Sequence, residues 1–212
     1  MATLLVIGAT QGIGREVVDM AVDHGHQVRA FARGAASIPE GPRLEPWPGD
    51  ATDPADLRPA MQDVDGVIMS LGLPKSLSFV FRPTRLFSSA TEALLPVMEA
   101  AKVKRLLVVT GFGAGKSREQ ISALERLPFH AVFGRAYADK SRQEALIESS
   151  GLDWTIVRPG VLTNGPETGV YQVLEEPGSW RNGVIARKEV ARFLLTAFEM
   201  RSHVREAPVL VR

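Results

Sequence analysis

The stretch Leu4-Leu5-Val6-Ile7-Gly8-Ala9-Thr10-Gln11-Gly12-Ile13-Gly14-Arg15 decides the fold. Four aliphatic residues in a row read as a strand covered on both faces. The strand runs into Gly8, Gly12 and Gly14, and an amphipathic helical pattern follows over Ile13–Asp23. A strand that ends in such a turn and opens a helix aims the helix's first amides at one spot, and glycine lets phosphate come close to them. The spacing is G-x-x-x-G-x-G. Its place after a buried first strand and before a helix suits a pyrophosphate.

Outward from that turn, apolar runs alternate with helical patterns. Leu4–Ile7, Val28–Phe31, Gly66–Ser70, Arg105–Thr110, Trp154–Val157 and Pro208–Val211 read as strands. Ile13–Asp23, Pro54–Met61, Thr84–Ala101, Arg135–Ser149 and Lys188–Met200 read as helices, the last with one stripe of Val190, Phe193, Leu194 and Ala197. Gly25 and Gly151 stand where left-handed helix stops belong. This βαβα succession predicts an α/β fold with a doubly wound, mostly parallel sheet and right-handed crossovers, as a single domain over residues 1–212. Stretches 34–49, 111–133 and 159–181 read as irregular. Ligands sit beyond the carboxyl ends of parallel strands, so substrate loops are expected at 72–84, 111–134 and 159–182, with Phe112, Phe129, Phe133 and Trp180 as apolar lining or as ordinary loop packing. Leu77–Phe81 reads as a lid or a contact surface.

Composition narrows the chemistry. The 212 residues contain no Cys, which removes disulfides, thiolate metal sites and Cys nucleophiles. With 25 Lys plus Arg against 24 Asp plus Glu, the net charge of +1 gives no bulk pull toward nucleic acid or an anionic membrane. No apolar run approaches the ~18 residues of a spanning helix. A soluble cytoplasmic protein, monomer or homodimer, with no nucleic-acid or membrane partner is the expectation. His24, His26, His130 and His203 are scattered, and no metal site is expected.

Further positions carry binding chemistry. Arg33 follows the second strand, where an acidic residue would hold a ribose 2′-hydroxyl; Arg suits a 2′-phosphate, so NADP(H) is favoured over NAD(H). Arg15 stands as a second phosphate contact. Asp50 suits the adenine amine, whereas Asp53 before Pro54 suits a helix N-cap. Leu71 and Gly72 would set slim backbone against the ribose. Gly111-Phe112-Gly113-Ala114-Gly115-Lys116-Ser117 imitates a phosphate loop, but that pattern needs Gly where Thr110 stands.

These residues resemble the atypical short-chain dehydrogenase/reductase group, nearest its NmrA-like and biliverdin-IXβ (flavin) reductase-like NAD(P)H-binding proteins. The resemblance rests on Gly8-Ala9-Thr10, Arg33, Gly49-Asp50, Val108-Val109-Thr110, Lys140 and the run Ser150 to Gly160. It implies a Rossmann-like sheet of order 3-2-1-4-5-6-7 and a bound nicotinamide dinucleotide. It implies Gly8, Thr10, Gln11, Gly12 and Ile13 as the residues at the phosphates, and Asp50 with Ala51 at the adenine. It further implies that Leu71, Gly72, Thr110, Gly111, Lys140, Pro159, Gly160 and Val161 line the ribose and nicotinamide. Two departures stand out. Gln11 replaces the second Gly of G-A-T-G-x-x-G. The Ser and Tyr-x-x-x-Lys of the Tyr-Lys subgroup are answered by Gly111 and by Tyr137-Ala138-Asp139-Lys140. Residues i and i+3 share a helix face, so Tyr137 and Lys140, with Thr110, are the catalytic candidates.

The leading functional reading is an NADPH-dependent reductase passing hydride to a planar, electron-poor small molecule such as a flavin, a quinone or a similar carbonyl compound. The alternative is a non-catalytic, NmrA-like redox sensor. Epimerisation of a nucleotide sugar needs a larger substrate domain than residues 158–212 provide.

Overall fold

The computed structural model describes residues 1–72, 85–121 and 123–212, with the backbone alone over 123–132. In chain order the elements are β1 (Thr3–Ile7), α1 (Gly12–Asp23), β2 (Gln27–Ala32), β3 (Leu44–Pro48), α2 (Pro54–Ala60), β4 (Gly66–Met69), α3 (Leu86–Ala100) and β5 (Arg105–Val109). There follow α4 (Ala123–Glu148), β6 (Asp153–Pro159), β7 (Val161–Thr163), β8 (Gln172–Leu174), β9 (Val184–Ala186), α5 (Arg187–Glu199) and β10 (Val209–Val211).

Eight strands form one sheet in the order β3-β2-β1-β4-β5-β6-β10-β8, and β7 pairs with β9 in a separate two-stranded piece. Every pairing in the large sheet is parallel except β10 with β8. The Rossmann-like order expected from the sequence holds through six strands, and β10 is the expected seventh. The sequence reading did not include β8, which adds an antiparallel edge beyond it.

Period-two alternation along β1 explains why both faces are covered. Leu4 and Val6 join Val17, Val18 and Ala21 of α1 and Val190 and Leu194 of α5 on one side. Leu5 and Ile7 join Leu57 of α2, Leu94 of α3 and Ile147 of α4 on the other. The side chains of Leu4, Leu5, Val6 and Ile7 are fully buried, each worth roughly 1.5–3 kcal/mol relative to exposure. A third, small cluster of Phe112, Ile121, Trp180, Val209 and Val211 sits where the 159–186 segment returns to the sheet.

Local chemistry fixes the element ends. Asp53 caps α2 by accepting the Ala55 amide at 2.8 Å, with Pro54 at the first helical position, as expected. Gly25 adopts φ +85° after α1. Gly151 is not among the residues with positive φ, so the stop after α4 is made without a left-handed glycine. The start of α3 is held from outside: the buried Asp139 carboxylate on α4 accepts the Phe87 amide at 2.9 Å and the Ser88 hydroxyl at 2.5 Å.

Three expectations are corrected. The stretch 34–49 contains β3, whose Leu-Glu-Pro-Trp-Pro sequence reads as a breaker but lies at the sheet edge, where Pro costs no ladder bond on its open side. Helix α4 begins at Ala123 rather than Arg135, so half of the expected loop 111–134 is helix, with Pro128 and Gly134 inside it. The stretch 159–181 contains β7 and β8. The 72–84 loop, past Gly72, lies outside the described residues, as do the Leu77–Phe81 segment and the Phe129 side chain. Among the described residues no helix is long and apolar enough to cross a membrane.

Candidate active site

A cleft of about 1080 Å³ opens beyond the carboxyl ends of the parallel strands. Of the residues expected at the cofactor, all but Arg15 border it, from Gly8, Thr10, Gln11, Gly12 and Ile13 through Arg33, Asp50 and Ala51 to Leu71 and Gly72. Thr110, Gly111, Tyr137, Lys140, Pro159, Gly160 and Val161 complete the wall.

The turn after β1 is built by close approach. Gly8 adopts φ +90°, and a Cβ there would collide with the Ser70 carbonyl at the end of β4. A Cβ on Gly14 would in turn collide with the Gly8 carbonyl, so α1 and the turn can touch only as glycines. Gln11 is the N-cap of α1, yet its side chain makes no capping bond, and no acidic residue stands in the first turn. The first amides of α1 are therefore left without a side-chain acceptor, a donor set that fits a pyrophosphate. Arg15 is not part of this wall: its guanidinium pairs with Asp19 at 2.9 Å along the helix.

At one end of the cleft, Arg33 lies exposed just past β2. The Asp50 carboxyl is held below its ordinary range chiefly by the Thr52 amide, then by the Thr52 hydroxyl, with a smaller contribution from the Arg33 charge. Both Thr52 donors reach the same oxygen, Oδ1, at 2.9 Å.

The opposite end carries the titratable groups. Lys140 donates from Nζ to the Thr110 carbonyl and stands 5.0 Å from the Phe87 ring centroid and 5.4 Å from that of Tyr137. Burial pulls its amine down to about 8, against the attraction of Glu144. Tyr137 shares this face, as the i, i+3 spacing predicts. Burial, reinforced by the Glu144 charge, pushes its phenol up to about 12. A Cβ on Gly111 would stand 2.6 Å from Tyr137 Oη. The phenol thus occupies the space that a serine at 111 would need.

Thr110 is corrected in its role. Its hydroxyl, 2% exposed, donates to Glu144 Oε1 at 2.6 Å rather than into the cleft. Its carbonyl is what faces Lys140. Glu144 also receives the guanidinium of Arg158 at 2.7 Å, both side chains being essentially unexposed, and Arg158 lies 4.8 Å from the Trp180 ring centroid. The Pro159-Gly160-Val161 turn offers surface rather than donors. The Gly160 amide goes to the Leu210 carbonyl at 3.0 Å and the Val161 amide to the Gly183 carbonyl at 2.7 Å.

The phosphate-loop imitation is an internal turn. Ser117 Oγ accepts the Gly113 amide at 2.9 Å and donates to the Ala114 carbonyl at 2.6 Å, while Lys116 points outward near Glu148. His24 and His26 both bond Glu199 Oε1, at 3.0 and 2.9 Å. Among the described residues one group, Glu175, His203 and Glu206, brings three metal-competent atoms within 4.8 Å, and none of them borders the cleft.

Among the polar wall residues that the sequence reading did not foresee are Glu16, Asn164, Asn182 and Arg187. Two of these, Asn164 and Arg187, bond each other. Asn164 lay in a stretch read as irregular, and Arg187 lay one residue before the expected helix. No motif marks either.

A family profile described as NAD(P)H-binding matches residues 8–201. The chain belongs to the NAD(P)H-binding family. The resemblance to atypical short-chain dehydrogenase/reductase and NmrA-like proteins stands within it. A relative in Bacillus subtilis (strain 168), named an uncharacterised sugar epimerase, is 26% identical over 203 residues, covering 92% of this chain and 87% of its own. In structure, ChuY, an anaerobilin reductase from Escherichia coli O157:H7, superposes with a TM-score of 0.83 at 23% identity, covering 99% of this chain and 96% of that one. A short-chain dehydrogenase/reductase from Veillonella parvula DSM 2008, in complex with NADP, superposes with a TM-score of 0.83 at 16% identity, covering 100% and 94%. These two likenesses establish the shared fold of this NAD(P)H-binding chain.

Proposed function

We propose that the chain is an NADPH-dependent reductase, one NAD(P)-binding domain over residues 1–212, that passes hydride to a planar, electron-poor acceptor such as a flavin, a quinone or a similar carbonyl compound. The observation that carries this reading is the pairing of a dinucleotide turn with a far wall whose tyrosine and threonine are poor proton donors. Tyr137's phenol, pushed up to about 12, is a weak proton donor, and Thr110's hydroxyl is committed to Glu144. Such a wall suits an acceptor that carries its own negative charge after hydride transfer and draws its proton from water or from Lys140, as conjugated rings can. NADPH, when bound, supplies the hydride. The chain's residues do the rest. The α1 amides bind the pyrophosphate, Arg33 the 2′-phosphate, and Asp50 and Ala51 border the adenine. Lys140, cationic at neutral pH, holds the ribose, and the Pro159–Val161 turn and Phe112 give an apolar floor for stacking, which supplies proximity and excludes water.

ChuY's reductase activity and the NADP of the Veillonella protein support this assignment. The sugar epimerase name borne by the Bacillus subtilis relative fits less well, because the Tyr137 phenol, placed to take and return a proton, lies far above neutral pH. Gly111 in the serine position favours one other reading, a redox sensor that binds the dinucleotide without turnover.

The test is loss of reduced-nicotinamide absorbance with panels of flavins, quinones and carbonyls, run beside NADPH and NADH titrations of wild type and Arg33→Ala. Turnover with a ring acceptor is expected. Arg33→Ala should cost about 1–3 kcal/mol of NADPH affinity, as for a hydrogen bond to a charged group, and leave NADH unchanged. Tight binding without turnover on any acceptor would leave the sensor reading in its place.

A further inference from the structure

We propose that Arg187 is a second-side clamp on the dinucleotide pyrophosphate, closing from the carboxyl-terminal segment over the amide cradle of α1. It rests on the dinucleotide reading above. The geometry begins at Gly12. A Cβ built there would find Arg187 Nε at 3.8 Å and Arg187 Cδ at 3.9 Å. The guanidinium therefore stands over the turn whose amides have no side-chain cap. An anion between them is approached by backbone N–H groups on one side and by a forked cation on the other, the pairing that makes Arg–phosphate contacts strong.

The chain builds this arm deliberately. Strands β7 and β9 pair in parallel with Thr163 opposite Ala186. The next residues, Asn164 and Arg187, are thereby set side by side at the cleft. Asn164 Oδ1 accepts from Arg187 Nη1 at 2.6 Å, which orients the guanidinium without spending its charge. Among the described residues no carboxylate forms an ion pair with Arg187. The two arginines of the cleft then divide the phosphates of the ligand. Arg33 reads the phosphate found only in NADP(H), whereas Arg187 reads the phosphates common to all these nucleotides. The same arm gives the 159–186 segment a reason to respond to cofactor.

Calorimetric titration of NADPH, NADH and ADP-ribose into the full chain tests this, with wild type, Arg187→Ala, Arg187→Lys and Asn164→Ala. ADP-ribose carries the pyrophosphate without the nicotinamide. The expected result is a loss of about tenfold to a hundredfold for all three ligands in Arg187→Ala, a smaller loss in Arg187→Lys, and a partial loss in Asn164→Ala. Far-ultraviolet circular dichroism of the apo variants confirms that each is folded, and Arg187→Lys keeps the test open if Arg187→Ala is not. Unchanged dissociation constants overturn the clamp. So does a defect confined to the KM of the acceptor, which would make Arg187 a substrate contact. If wild type binds none of the three ligands, it is the dinucleotide reading itself that fails.

Discussion

At the scale of single residues, Lys140 carries the most testable chemistry. Burial holds its amine at about 8, below its ordinary 10.5. Between those values the folded chain has released a proton that the unfolded chain still holds, so unfolding takes up a proton and this residue's contribution to stability rises with pH across that window. Below about 8 the contribution is flat, at its least favourable. The difference in unfolding free energy between Lys140→Met and wild type should therefore be constant below pH 8 and shift toward wild type as pH climbs to 10. Urea titrations at several pH values measure it, and a difference that stays level throughout would place the amine in water. NADPH affinity of wild type should fall above pH 8 as the cation is lost. The sequence placed Lys140 and Tyr137 on one helix face. It could not give the outcome for the phenol, because the acidity of a tyrosine depends on burial and on Glu144, seven residues on, whose partner Arg158 comes from another element.

At the scale of elements, α4 ties the molecule together through buried polar side chains. Glu144 meets Thr110, just past β5, and Arg158 of β6. Glu144→Ala strands a guanidinium with no exposure and should cost about 3–5 kcal/mol, the range for breaking a buried pair, whereas Glu144→Gln keeps hydrogen-bond capacity and should cost less. Chemical denaturation decides; equal losses would show that charge is irrelevant there. Asp139→Ala removes the acceptor of buried donors at the head of α3 and should cost about 1–3 kcal/mol, read the same way, with a neutral result refuting the cap. The elements legible in advance were those with an unbroken period: β1, β2, β4, β5, β6, β10, the helices α1, α2, α3 and α5, and the second half of α4. The ones missed were set by tertiary context. Pro46 and Pro48 disguised β3, Pro128 and Gly134 disguised the first half of α4, and β7, β8 and β9, of three residues each, are too short for alternation to register. For the same reason Asn164 and Arg187 escaped notice, since only the β7–β9 register brings them together.

Across the whole molecule, one cleft joins residues from the first turn to the last helix. A ligand that fills it should stabilise the fold by mass action. NADPH at about a hundred times its dissociation constant should add ~2.7 kcal/mol, raising the melting temperature by roughly 5–10 °C for a chain of this size. Differential scanning calorimetry with NADPH, NADH and adenosine separates the cases: both dinucleotides should shift the transition, adenosine far less. No shift with either dinucleotide would contradict the family's namesake property in this chain.

The outer rim of the sheet has a consequence for how copies of this chain meet. On β3, Pro46 lies opposite Ala30 and Pro48 opposite Ala32, and proline has no amide hydrogen to donate. At the other rim, β8 contributes only three residues. A stray strand arriving at either border finds a ladder with missing rungs or hardly any ladder at all, so edge-to-edge zippering, the usual route from a parallel sheet into fibrils, is discouraged by the architecture itself.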